Sequence, residues 1–114
     1  MIFPGKIDFL TELGMEPIEI DSSLGLSTYR KTSNDGKSEM EISFSAIMKS
    51  FQVSLTVFNQ EVIKFSSEKV ASIEIIKDET VSGLCVKFGF SEASSEAFIR
   101  LEPDISCNWW SIVK

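Results

Sequence analysis

The sequence predicts a mainly β (α+β) protein, an antiparallel meander sandwich or half-barrel of about seven to nine strands with one short N-terminal helix. Three observations predict it. From Ile18 onward apolar and polar residues alternate with a period of two, the signature of strands with one buried face. Polar turn signals interrupt that alternation about every ten residues, which suits short antiparallel connections. Residues 39–110 contain no convincing helical crossover, and parallel strands need one.

The helix is placed at the start, where Ile7, Leu10 and Leu13 recur three apart between Pro4 and Gly14. Pro suits the first helical turn and Gly the C-cap. So short a helix is marginal alone and needs its Ile/Leu stripe docked on a partner surface. Pro17 blocks its continuation. Leu24–Thr32 and Glu39–Met48 then flank Ser33-Asn34-Asp35-Gly36-Lys37, and Asp-Gly between extended runs signals a hairpin. Met40, Ile42, Phe44, Ala46 and Met48 fall on one face. The parity slips at Lys49-Ser50, which calls for either a tight turn or a bulge; Lys-Ser is a poor turn dipeptide, so of the two a bulge within one long bent strand is expected. Phe51, Val53, Leu55 and Val57 carry the inward pattern onward, and Asn59-Gln60 closes the next hairpin. Ile63 and Phe65 return inward, followed by Ala71, Ile73 and Ile75. After the connection 77–83 come Leu84, Val86, Phe88 and Phe90. Beyond 91–96, Ala97, Ile99 and Leu101 lead to a break at Glu102-Pro103-Asp104, and Ile105, Cys107 and Trp109 complete the pattern.

The length of 114 residues, with 43% hydrophobic and 25% charged residues, matches one globular domain over 1–114. Nine Phe and two Trp can supply its core. The sequence has no His, which removes the commonest general base and the commonest zinc ligand together. No Gly-rich phosphate loop, glycine elbow or wrapped-carboxylate Ca²⁺ pattern replaces them. A non-enzyme without metal, cofactor or small-molecule requirement is therefore expected. Seventeen acids against eleven bases give a net charge of −6, which repels nucleic acid and anionic membranes and attracts a cationic protein. No signal-type start and no apolar stretch of membrane-spanning length occurs. Cys85 and Cys107 read as reduced thiols of a cytoplasmic protein.

In a meander, consecutive turns alternate between the ends of the sheet, so turns after residues 58, 76 and 101 are expected to share one end. That end would hold Glu61, Lys77, Asp78, Glu79, Glu102 and Asp104, five acids against one base. The opposite end would hold Glu68, Lys69, Glu92 and Glu96. A strand of eight residues separates the two by roughly 26 Å, beyond a Debye length. A second acidic group, Asp8, Glu12, Glu16, Glu19 and Asp21, faces only Lys6 in the N-terminal segment. Trp109 and Trp110, adjacent on an alternating strand, must point to opposite faces. One of them can serve as a binding anchor. The candidate partner-binding residues are thus Asp78, Glu79, Glu102, Asp104, Trp109 and Trp110.

The segment Ile42–Glu61, the following Val70–Ile75 and the closing Cys107-Asn108-Trp109-Trp110 resemble small bacterial immunity proteins, the antidotes encoded beside contact-dependent growth inhibition and other polymorphic toxins. The resemblance extends over 39–110 in general style. It implies a cytoplasmic, non-enzymatic antitoxin forming a 1:1 heterodimer with one cognate toxin domain, often a basic nuclease, whose active site it blocks. Competing readings are an acidic nucleic-acid mimic, a PH-like or sandwich adaptor with a peptide groove, and a carrier with a pocket at Phe88, Phe90 and Trp109.

Overall fold

The structure, a computed structural model, describes residues 3–89 and 93–113. The expectations for Phe90, Ser91 and Glu92 lie outside the described residues. The chain divides into two compact units, Glu16–Glu68 and a discontinuous unit of Met1–Met15 with Lys69–Lys114. Each carries one antiparallel sheet, and the nine strands among the described residues pair strictly in chain order without closing either sheet into a barrel.

The first unit is a meander of β1 (Glu19–Asp21), β2 (Leu26–Thr32), β3 (Ser38–Ser45), β4 (Ser50–Val57) and β5 (Gln60–Ser67). The hairpin at 33–37 forms as expected. Gly36 takes φ 73°, and Asp35 Oδ1 accepts from the Lys37 amide at 2.9 Å. One face aligns Tyr29, Ile42 and Val53 across three strands, all nearly inaccessible to water. Ile63 and Phe65 share that face through pairing with Leu55 and Val53, yet on the edge strand β5 each stays 45% exposed.

Three local expectations change. Lys49-Ser50 is no bulge: residues 46–49 form a turn that separates β3 from β4, with Lys49 at φ 54°. Buried Ser45 holds this turn, its Oγ donating to the Leu24 carbonyl at 2.5 Å and accepting from the Met48 amide at 3.0 Å. Ala46 and Met48 therefore leave the inward series and are exposed. The next hairpin turns at Phe58-Asn59, one residue earlier than expected, since Val57 pairs with Gln60. Phe58 and Asn59 both have positive φ, 50° and 65°, the signature of a type I′ turn.

The second unit orders β6 (Val70–Lys77), β7 (Ser82–Gly89), β8 (Ala93–Glu102) and β9 (Ser106–Val113). Its buried face is built by Ile73, Leu84, Val86, Phe88, Ala97, Ile99 and Leu101. A register shift between Val70 and Ser72 gives the core position to Val70 and leaves Ala71 exposed, contrary to the parity reading. Gly83 sits at a second shift, between Ser82 and Gly83, where a Cβ would strike the Ile99 carbonyl oxygen. Only glycine lets the two backbones approach there.

The N-terminal helix belongs to this unit and packs against β6. It begins as α1 (Lys6–Asp8), with Asp8 Oδ2 accepting from the Gly5 amide at 2.7 Å. It continues as a π-helical turn over Phe9–Leu13, and Gly14 closes it at φ 65°, as expected of its C-cap. The expected docking stripe is retained at Leu13, which is half-buried, and overturned at Ile7 and Leu10, which are 77% and 49% exposed, whereas Phe9 is fully buried. Phe9 and Leu13, four residues apart and so on one helix face, form the inward side. Burying a Phe side chain contributes about 1.5–3 kcal/mol, enough to hold a segment too short to be helical alone.

Candidate functional site

Antiparallel order places the β6–β7 turn (residues 78–81) and the β8–β9 turn (residues 103–105) at the same end of the four-stranded sheet, and the pair Ser82–Glu102 links them. Asp78, Glu79, Glu102 and Asp104 are thereby brought to one end, all exposed. Asp78 and Asp104 also build their turns. Asp78 Oδ1 accepts from the amides of Thr80 and Val81, each at 2.8 Å, and from the Thr80 hydroxyl at 3.1 Å. These bonds, the Thr80 amide foremost, hold the Asp78 carboxyl below its ordinary range. Asp104 Oδ1 accepts from the Ile105 amide at 2.9 Å, and the Asp104 carbonyl accepts from Arg100 Nε at 2.9 Å.

Arg100 is the residue that sequence reasoning missed at this end. It lies on β8, opposite Gly83 on one side and Ser106 on the other, and joins Lys77 as a second cation among four acids. The signal was present in the alternation, which puts Arg100 and Glu102 on one face of an unbroken strand. Glu61 is not carried to this end by sheet topology. It lies on β5 of the other sheet, 3.3 Å from Lys64.

Chain order from Leu24 to Trp110 is that of the expected meander, but it runs through two sheets. The fold is shared with one chain of a toxin–immunity complex. A chain of the solved contact-dependent growth inhibition toxin–immunity protein complex from Klebsiella pneumoniae 342 superposes with a TM-score of 0.87 over 96% of each chain. Their sequences are 23% identical, so the likeness is one of fold. Neither a family model nor a curated relative matches the chain.

The tryptophans divide as the alternation requires. Trp109 stacks on Phe88, ring centroids 4.9 Å apart and planes 12° from parallel, while Trp110 is 42% exposed opposite Glu96 on the other face. Glu96 and Glu102 are six positions apart along β8, about 20 Å at strand rise. The structure thus gathers the four carboxylates but sets Trp110 well away from them.

Cys85 and Cys107 are free thiols, both half-buried. Burial pushes both thiol pKa values up, with the Glu96 carboxylate adding to the shift at Cys85, the opposite of what an activated nucleophile needs. Among the described residues no cluster of ligating side chains is arranged to hold a metal, and no helix is long and apolar enough to cross a membrane.

Proposed function

We propose that this chain is an immunity protein that binds a cognate, basic, nuclease-type toxin domain and inhibits it by blocking the active site. The observation that carries this reading is the fold shared over 96% of both chains with a member of a contact-dependent growth inhibition toxin–immunity complex. Of the two roles in such a complex, the amino-acid content supports the inhibitor. A chain without His and with a net charge of −6 is poor in acid–base chemistry and rich in the charge that attracts a cationic protein. An inhibitor needs complementarity alone. The acidic end bearing Asp78, Glu79, Glu102 and Asp104 belongs to this reading as the steering surface, with Trp109 or Trp110 as an aromatic anchor. So do the 1:1 stoichiometry and the cytoplasmic location.

The test is co-expression with the toxin domain encoded next to this chain's gene. Cells making the toxin domain alone should stop growing, and cells making both should grow. The purified pair should elute as a 1:1 complex, with the toxin's nuclease activity suppressed in proportion to occupancy. Failure of this chain to protect cells from the neighbouring toxin overturns the reading.

A further inference from the structure

The N-terminal segment and the edge strand β6 together form a groove of about 480 Å³ that the alternation along the sequence does not reveal. Its apolar lining comes from Phe3, Pro4, Ile73 and Ile75. Three carboxylates line the same groove, Asp8 and Glu12 from the helix and Glu74 from β6, against the single ammonium of Lys77. Glu12 and Glu74 are exposed. β6 is the outer strand of its sheet, and its end at Lys77 runs directly into Asp78 and Glu79 of the acidic end. The groove is therefore continuous along the chain with that end. Trp110 lies on β9, at the opposite edge and about 14 Å across three strand spacings.

We infer that this groove is the seat for a lysine- or arginine-bearing segment of the toxin partner, whose aliphatic stem lies on the apolar floor while its charged head meets Glu12, Glu74 and Asp8. Long cationic side chains bury their methylenes along apolar surface and keep the head among polar groups. A floor of Phe, Pro and Ile rimmed by three acids matches both halves of such a side chain. Charge complementarity selects this occupant. A groove of similar size on the five-stranded sheet also has apolar lining, from Leu26 and Phe51, but its other lining residues are serines and Gln52 with Glu68 as its one charge, so it offers a cationic head a single carboxylate. The inference rests on the immunity reading and specifies where the partner is held, as distinct from where it is steered.

The experiment measures binding of the neighbouring toxin domain to the full chain by surface kinetics. The doubly reversed variant Glu12→Lys with Glu74→Lys leaves Asp8 in place, because Asp8 holds the Gly5 amide. Its control is Glu61→Lys with Glu68→Lys, which changes net charge equally on the other unit. The groove variant should keep the wild-type circular dichroism and melting temperature. Its Kd should rise at least about tenfold, mainly through faster dissociation, as loss of a desolvated charge pair does. The control should change far less. Wild-type-like dissociation in the groove variant, or an equal loss in the control, overturns the inference while leaving the immunity reading intact. If the wild-type chain does not bind the toxin domain at all, both fall. A Kd that rises equally for Glu12→Gln with Glu74→Gln supports pairing with a cation over simple repulsion, and an unaffected Kd in that neutral variant overturns it.

Discussion

At the scale of single residues, three of the acids that give this chain its charge are also turn acceptors. Asp21, Asp35 and Asp78 each open a turn and accept, through Oδ1, the amide two residues on, from Ser23, Lys37 and Thr80 at 3.0, 2.9 and 2.8 Å. Asp and Asn favour such positions because their short side chains mimic a backbone carbonyl. Hydrogen bonds lower all three carboxyl pKa values, led by the Ser23 hydroxyl at Asp21, the Ser33 hydroxyl at Asp35 and the Thr80 amide at Asp78. A carboxyl whose folded pKa is depressed contributes stability that is present above its unfolded value, about 3.9, and lost as pH falls through the lower folded value. The protein should therefore lose melting temperature progressively below about pH 4. Asp78→Asn, which keeps the acceptor, should melt close to wild type at pH 7 and show a smaller acid loss. Asp78→Ala should melt lower than Asp78→Asn at pH 7. Equal melting of the two variants at pH 7 would show that the turn does not depend on this acceptor. The same bonds correct a simple expectation for charge reversal at this end: replacing Asp78 by Lys would disturb the turn as well as the field.

At the scale of elements, the hairpin joining β4 to β5 carries an unusual residue at its tip. A type I′ turn needs positive φ at both central positions, where Gly, Asn and Asp are at ease and a bulky side chain is not. Phe58 occupies the first of them and is 69% exposed, so burial of its ring does not offset the strain. Left-handed backbone costs an L-residue roughly 1–2 kcal/mol. Phe58→Gly should raise stability in urea melts by about 1 kcal/mol, the unfolded chain's extra freedom cancelling part of the relief. A variant less stable than wild type would mean the ring does more for the fold than its exposure shows. This turn also marks how far parity reading reaches. Alternation places Met40, Ile42, Val53, Leu84, Val86 and Ile99 correctly on buried faces because period two is a property of any strand. It is blind to which sheet a strand joins, so the passage from β5 to β6 through Glu68-Lys69 reads as one more hairpin. It also misses turns built from residues without turn character, as at Lys49 and Phe58, and bulges such as that at Ala71, where tertiary pairing decides. Of the candidate site, the shared end of Asp78, Glu79, Glu102 and Asp104 was legible because it follows from strand order alone. The groove was not, because Glu12 and Glu74 meet only through the docking of the N-terminal segment.

At the scale of the whole molecule, the proposed function divides the work in two: the net charge of −6 would act on a partner before contact, and the groove after it. Exposed charges at a sheet end contribute mainly to the rate of encounter, since they interact through water and are screened within about 8–10 Å at physiological salt. Desolvated pairs contribute mainly to the lifetime of the complex. The two surfaces of the β6 unit should therefore separate kinetically. Reversing Glu79 and Glu102 to Lys, with Asp78 and Asp104 kept for the turn bonds described above, should keep the wild-type circular dichroism, since both positions are exposed and exposed substitutions usually shift stability by less than about 0.5 kcal/mol. The association rate with the toxin domain at low salt should fall several-fold, and its decline with rising salt should become shallower than in the wild type. Dissociation should stay close to wild type, in contrast to the Glu12/Glu74 variant. Both variants should protect cells less well than wild type when toxin expression is strong, since a slower encounter and a shorter lifetime each leave free toxin. An association rate that is unchanged and equally salt-dependent in the Glu79/Glu102 variant would show that the acidic end only solvates its turns. The net charge would then act through the groove alone.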